Sequence, residues 1–261
     1  MLARWGLVLV VVLVLARAHD LRADGATLPG GRGAVSLTVQ SGLSEGQGAE
    51  PFSVAPDAWY GISDGEQVGV VTSVQALTGF WSGATGGLLG SGVCLSGGQE
   101  RRSDAGCDGL FESAGAQVVM GGRMRGPVQV LPLFGAHLVE NDPVAFRGQA
   151  GARVRWQMGD RVSVGGAPSV VVGEGRAWFV PVEVGVTVVP RLRVGVQSGY
   201  VHVSRDGYDP WSAIPVAVGA VLLATPTLVV SGAFSFDRVG GYAGPGPVDQ
   251  RSAIVMVGTM L

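Results

Sequence analysis

The stretch AWFVPVEVGVTVV, residues 177–189, decides the fold of this chain. Every second position from Trp178 to Val188 is apolar, while the positions between them include Glu183, Gly185 and Thr187. Because successive side chains of a β-strand point to opposite faces, this alternation predicts a strand with one apolar face. The stretch is longer than the usual five or six residues, and a tilted strand of this length can cross a bilayer.

The same alternation continues on both sides of this stretch. After Pro190 it resumes in residues 191–203, and before it lie residues 147–157 and 161–172. The sequence predicts strands at 33–42, 52–60, 66–74, 115–125, 128–138, 144–157, 161–172, 177–189, 191–203, 212–224, 227–237 and 251–261. The pattern is typical of an all-β, transmembrane, up-and-down antiparallel β-barrel of about 12 strands.

The connections between the predicted strands alternate in length. Short ones fall at 61–65, 126–127, 158–160, 190 and 225–226, and most of the others are longer. Short periplasmic turns and longer external loops are usual in outer-membrane barrels, so both chain termini are expected on the periplasmic side. The alternative is a soluble β-sandwich or barrel, which also alternates; strand length and loop alternation favour the membrane barrel.

The N-terminus is expected to be an export signal. Arg4 precedes an apolar run from Leu7 to Leu15, and Ala16 and Ala18 give the small-residue pattern of a cleavage site. A retained anchor is the alternative, but an apolar core of about ten residues is short of the roughly 20 that span a bilayer. The expected organisation is a signal peptide at 1–18, a short periplasmic segment at 19–32 and a barrel at 33–261.

Composition agrees with a glycine-rich β protein. Hydrophobic residues make up 47% and charged residues 15% of the chain, with 44 glycines, which disfavour helices. The formal net charge is -2, and no basic patch indicates a nucleic-acid partner.

The segment 75–114 is expected to be a long external loop. It contains Cys94 and Cys107, and two loop cysteines in an exported protein are expected to form a disulfide. A metal site is the alternative, but no histidine or third cysteine is nearby in the sequence. The loop either plugs the lumen, projects outward as a binding surface, or serves as a plain connector.

Charged residues fall mainly on the faces assigned to the lumen, because a lipid-facing arginine costs about 2–4 kcal/mol at the bilayer midplane. The candidate lumen charges are Arg123, Arg125, Arg147, Arg153, Arg155, Arg161, Glu183, Arg191 and Arg193. One hypothesis is a positive constriction that favours anions. The other is that these arginines pair with carboxylates and fill a narrow barrel.

No catalytic or cofactor-binding motif is recognisable. His202 and Ser204 share a face of one predicted strand, but no motif surrounds them. A nucleophile needs a base and an orienting group within hydrogen-bond reach. The sequence therefore predicts no enzyme, cofactor or metal site.

With these strands and turns, the chain resembles the porin-like outer-membrane β-barrel proteins of Gram-negative bacteria. The resemblance covers about residues 34–261 and rests on the strand rhythm, the turn at 60–65 and the Cys94–Cys107 loop. Leu261 stands where such proteins commonly end in phenylalanine. The resemblance implies an outer-membrane location, with lipid and the barrel-assembly machinery as partners. It also implies a porin-like passive channel for small solutes, anions among them. The alternative is a structural or surface-interaction barrel that uses its long loop without transport.

Overall fold

The computed structural model describes residues 28–43, 52–81, 93–96, 113–120, 127–139, 145–173, 175–205, 209–240 and 251–261. Fourteen strands and one short helix occur in this part of the chain. The strands are β1 (Gly33–Gly42), β2 (Phe52–Ser63), β3 (Glu66–Val71), β4 (Val93–Ser96), β5 (Ser113–Val119), β6 (Val128–Val139), β7 (Ala145–Met158), β8 (Val162–Gly166), β9 (Ser169–Val172), β10 (Gly175–Val189), β11 (Leu192–Arg205), β12 (Trp211–Leu223), β13 (Leu228–Gly240) and β14 (Arg251–Met260). The helix α1 (Val74–Thr78) follows β3.

The strands form a closed antiparallel barrel. Each wall strand pairs with its neighbours in sequence, and β1 pairs with both β2 and β14, which closes the sheet. β8 and β9 both lie between β7 and β10, so together they fill one wall position. β4 pairs with the edge of β2 and adds no full wall strand. The described strands therefore occupy twelve wall positions, and the predicted fold class is confirmed.

The two ends of the barrel differ. At the turn end lie the start of β1 and the end of the chain, where the Leu261 N–H donates to the Gly33 carbonyl at 2.8 Å. The connections at 64–65, 159–161 and 190–191 are also at this end. The opposite, loop end carries the connections that follow β1, β3, β6, β11 and β13. The predicted alternation of short and long connections is present with two exceptions: the loop-end connection at 173–174 is short, and the turn-end connection at 120–127 is longer than predicted.

The outer face of the wall is apolar along its length. On β10, Trp178 and the valines at alternate positions through Val188 are exposed, while Ala177 and Phe179 on the other face are buried. A closed barrel satisfies all of its backbone hydrogen bonds between strands, as an apolar environment requires. The wall therefore presents an apolar surface outside and a mixed surface inside. In the described residues, no helix has the length and hydropathy needed to cross a membrane.

Three predicted strands differ clearly from the observed ones. The strand predicted at 115–125 is observed as β5, which ends at Val119. The strand predicted at 66–74 ends at Val71, because the chain turns inward at Thr72 and begins α1 at Val74. The strand predicted at 161–172 is interrupted at 167–168, where Pro168 has no N–H to give to the ladder. The Pro168 carbonyl still accepts from the Ala152 N–H at 3.0 Å, so the wall remains continuous.

Several predicted features lie outside the described residues. They include the signal peptide at 1–18, most of the segment at 19–32, and Cys107. Cys94 falls in β4, but its pairing with Cys107 stays a prediction.

Candidate functional site in the barrel lumen

A segment of the chain enters the lumen directly after β3. It comprises residues 72–81, with α1 at its centre, and is called here the inserted segment. The Asp57 carboxylate on β2 fixes its start by accepting hydrogen bonds from the Thr72 N–H at 2.8 Å, the Ser73 N–H at 3.0 Å and the Ser73 hydroxyl at 2.5 Å. The Ser73 hydroxyl oxygen also accepts from the Ala76 N–H, which caps the helix. Gly79 ends the helix in the left-handed region, at φ 75°.

Three glutamine side chains from the wall hold the inserted segment. Gln117 on β5 donates to the Ala76 carbonyl at 2.9 Å, and Gln149 on β7 donates to the Leu77 carbonyl at 2.6 Å. Gln197 on β11 donates to the Gly79 carbonyl at 2.9 Å and accepts from the Trp81 N–H at 2.6 Å. The three glutamines thus satisfy carbonyls that a single helical turn cannot satisfy itself. We call them the glutamine clamp.

The glutamine clamp is itself connected. Gln149 Oε1 accepts from Gln117 Nε2 at 2.9 Å and lies 2.8 Å from His137 Nε2. Gln149 Nε2 also donates to the Ser169 hydroxyl at 3.0 Å. Gln149 is therefore the centre of a buried network that joins β5, β6, β7 and β9.

Apolar side chains complete the contact between the inserted segment and the wall. Leu77 and Phe80 are buried in a cluster with Val71, Val171 and Phe179. Further along, Trp81 lies against wall glycines: a Cβ added at Gly195 or Gly219 would come within 3.1 or 3.2 Å of its ring. The inserted segment consequently reaches from β3 across to β11 and β12.

A cavity of about 250 Å³ lies next to α1 inside the barrel. A cavity of this size has room for several water molecules. Its lining includes Ser36, Asp57, Trp59, Arg153 and Met256. The Arg153 guanidinium stacks over the Trp59 ring, 4.9 Å from its centroid, and this cation–π contact orients the charge within the lumen.

A second charged group lies nearer the turn end. Arg193 on β11 donates to Glu183 on β10 at 3.0 Å and to the Ser163 hydroxyl at 2.7 Å. Arg155 on β7 donates to Gln157 at 3.2 Å. These side chains are only partly buried, which leaves their charge accessible from the lumen.

The other candidate lumen charges have different surroundings. Arg147 on β7 is fully buried near the loop end, where it is the cross-strand neighbour of His137 on β6. Arg161 and Arg191 are exposed at the short turns, and both accept ladder hydrogen bonds through their carbonyls. Arg123 and Arg125 lie outside the described residues. The structure thus brings together Arg153, Arg155, Glu183 and Arg193 in the turn half of the lumen.

The inward-facing side chains beside the inserted segment are buried. Among the described residues, Gln117, Gln149 and Gln197 are almost completely buried there, as is Arg147 nearer the loop end. Towards the turn end, Arg153 and Arg193 are partly exposed, whereas Val119, Leu131 and Leu133 are buried. The inserted segment therefore occupies the described lumen at the level of the glutamine clamp.

Sequence reasoning did not single out Asp57 or the glutamine clamp as site residues. Strand parity alone places Gln149 and Gln197 on the inward face, but it gives no partner for them. A useful signal is an uncharged amide at the centre of several inward faces, because such a side chain must find hydrogen-bond partners inside the barrel. Those partners come from the inserted segment. The sequence left three roles open for residues 75–114, and a plug in the lumen was only one of them.

His202 lies on the outer face near the loop end, away from the lumen. Its Nδ1 is 3.2 Å from the Ser212 hydroxyl, and its ring stacks on Tyr200. This arrangement is a polar cluster on the outer surface.

No protein-family model matches the chain, and no curated protein matches its sequence. Solved structures match its fold. The NanC porin has a TM-score of 0.54 at 11% identity, covering 86% of this chain and 100% of that one. An outer-membrane channel from Pseudomonas putida F1 also has a TM-score of 0.54 at 11% identity, covering 92% and 99%. A KdgM porin in complex with disordered oligogalacturonate has a TM-score of 0.51 at 10% identity, covering 87% and 98%. At these identities the similarity establishes the fold alone: the chain has the closed-barrel fold of outer-membrane porins.

Proposed function

We propose that this chain is a porin-like passive channel in the bacterial outer membrane, for small solutes and with a preference for anions. The turn end faces the periplasm in this proposal, and the loop end faces the outside. The observation that carries the proposal is a charged, partly exposed lumen within a wall whose outer face is apolar. A polar interior inside an apolar outer face is typical of the water-filled barrels of porins.

The preference for anions follows from the balance of charges in the lumen. Of the described inward-facing charged side chains, Arg147, Arg153, Arg155 and Arg193 are positive and Asp57, Glu183 and Asp237 are negative, which leaves more positive than negative charge. The Asp57 carboxylate already accepts three hydrogen bonds from the inserted segment, and Glu183 is paired with Arg193. Arg153 stacks on Trp59 beside the cavity, where a passing anion can reach its donors.

Channel recordings test this proposal. Purified protein reconstituted in planar bilayers is expected to conduct, and a salt gradient is expected to give a reversal potential on the anion-selective side. Arg153→Gln should lower the anion-to-cation permeability ratio because it removes a lumen charge. Arg176→Gln is the matched control, since Arg176 lies on the exposed face of β10. Folded protein without any channel events contradicts the proposal.

A second candidate function is a barrel that serves surface interaction without transport. The observation that favours it is the inserted segment, which occupies the described lumen at the level of the glutamine clamp. Deletion of residues 75–114 separates the two functions. A surface-interaction protein would lose its binding activity, whereas a channel would keep or increase its conductance.

A further inference from the structure

The inserted segment is attached to the barrel in an unusual way. It contributes no strand to the sheet, and α1 has only five residues, fewer than an isolated helix needs for stability. Its position therefore depends on contacts with the wall. The polar contacts beyond Ser73 are made by the glutamine clamp, whose side chains can rotate without disturbing the strands that carry them.

We propose that the inserted segment is a tethered plug, which the glutamine clamp holds in the lumen and whose release widens the pore. Only the conductance measurement described below rests on the proposed channel function. The release of the segment itself can be measured independently of any conduction.

The tether is the start of the segment. Asp57 accepts three hydrogen bonds from Thr72 and Ser73 in a buried position, and charge-assisted bonds of this kind are stronger than neutral ones. The residues after Ser73 are held by the neutral amides of the glutamine clamp and by the apolar contacts of Leu77 and Phe80. Their hydrogen bonds are the weaker ones, so release starts there while Asp57 keeps the start of the segment attached.

The connected hydrogen bonds make the release cooperative. Gln149 binds the Leu77 carbonyl and at the same time accepts from Gln117, which binds the Ala76 carbonyl. Loss of one contact therefore loosens the next. Gln197 holds both sides of the Phe80 position, through the Gly79 carbonyl and the Trp81 N–H. Because of this arrangement, the segment leaves as a unit.

The wall is shaped to receive the plug. A Cβ at Gly195 would lie 3.0 Å from the Val184 carbonyl and 3.1 Å from the Trp81 ring. One at Gly199 would clash with the Val180 carbonyl and lie 3.0 Å from the Phe80 ring. Glycine at these positions therefore serves the pairing of the wall strands and also lets the two aromatic rings approach the wall.

The experiment replaces the three donors by carboxylates. In the variant Gln117→Glu/Gln149→Glu/Gln197→Glu, carboxylate oxygens face the carbonyls of Ala76, Leu77 and Gly79, so these three hydrogen bonds become repulsions. The hydrogen bond from the Trp81 N–H to position 197 is kept. Gln157→Glu is the matched control for the labelling readout: Gln157 is on β7, is partly buried, donates to the Gly159 carbonyl at 2.8 Å and accepts from Arg155 at 3.2 Å, away from the segment. Heat-modifiable gel mobility confirms that each variant is a folded barrel.

Two readouts are compared in these backgrounds. The first is the rate at which a membrane-impermeant maleimide labels Leu77→Cys. Cys94 and Cys107 are replaced by serine in this background. Leu77 is fully buried in the native chain, so fast labelling requires that the segment leave its place. The labelling rate should rise about tenfold or more in the triple variant, since several hydrogen bonds are lost together, and stay unchanged with Gln157→Glu. The second is single-channel conductance, which should increase in the triple variant and permit larger uncharged solutes to pass.

Each outcome has a defined meaning. Unchanged labelling in a folded triple variant overturns the plug, whatever the conductance. Faster labelling with unchanged conductance in a conducting protein also overturns it, because the segment then leaves without being the barrier. Faster labelling with no conduction in any variant contradicts the channel function and leaves the release of the segment supported. If the triple variant does not fold, Gln197→Glu alone and Phe80→Ala/Trp81→Ala are tested by the same two readouts.

Discussion

Gly115 on β5 shows how closely the lumen is packed at the level of single atoms. Its paired residue across the sheet is His137, whose ring is fully buried and covers the glycine. A Cβ at Gly115 would overlap the Nδ1 atom of that ring. Since the same ring contacts Gln149 through Nε2, any shift of His137 is transmitted to the glutamine clamp.

We expect Gly115→Ala to lower the free energy of unfolding by about 1–3 kcal/mol, the usual cost of overpacking. Urea unfolding of the barrel in lipid vesicles measures the change. Gly148→Ala is the control, because its nearest atom is Val172 Cγ2 at 3.8 Å, an ordinary contact. Equal stabilities of the two variants would show that His137 has room to move.

At the scale of elements, the inserted segment depends on one carboxylate. Asp57 is buried and supplies the only acceptor that the structure describes for the Thr72 and Ser73 N–H groups. The chain leaves the wall at this point although residues 66–74 favour a strand by composition. A tertiary contact thus overrides a local preference.

Asp57→Ala should therefore release the start of the inserted segment. We expect a loss of about 2 kcal/mol or more in the free energy of unfolding, because buried donors lose a charged acceptor. Hydrogen–deuterium exchange of residues 72–81 should accelerate in parallel. Asp64→Ala is the control, since Asp64 lies in an exposed turn and accepts only from the Gly30 N–H, at 3.2 Å. Unchanged exchange in Asp57→Ala would refute the anchoring role.

The wall strands could be predicted from sequence because alternation depends only on the period of a strand and the polarity of its two sides. Arg153, Glu183 and Arg193 followed from the same parity. The inserted segment could not be derived in this way, because its contacts with Asp57 and Gln197 join distant parts of the chain. Local signals were nevertheless present: Ser73 is a typical N-cap residue, and Gly79 a typical C-terminal glycine.

At the scale of the whole molecule, the barrel is stabilised by matching its outer surface to lipid. Val255, near the middle of β14, is half-exposed on the outer face. Ser231 on β13 is on the inner face, where it pairs with Met256 of the cavity lining. Val255→Arg therefore places a charge on the outer side of the wall, and Ser231→Arg places one on the inner side.

Val255→Arg is expected to cost about 2–4 kcal/mol in lipid, as a charge near the bilayer midplane does. Folding into vesicles, followed by gel mobility and urea titration, measures this loss. Ser231→Arg should cost much less, because its charge enters the polar lumen. Similar losses in both variants would argue against the assignment of inner and outer faces.

The pairing of β1 with β14 has a consequence for the way the barrel forms. Ala34 and Met260 are neighbours across this seam although they lie about 226 residues apart in the chain. In the simplest polymer estimate, joining such distant ends costs about 5 kcal/mol of chain entropy, which the hairpins between successive strands largely avoid. The open sheet can therefore grow one hairpin at a time, while the seam forms last and limits the rate of folding. Until the seam forms, the unpaired edges of β1 and β14 can pair with strands of other chains. An assembly catalyst would have to suppress this aggregation.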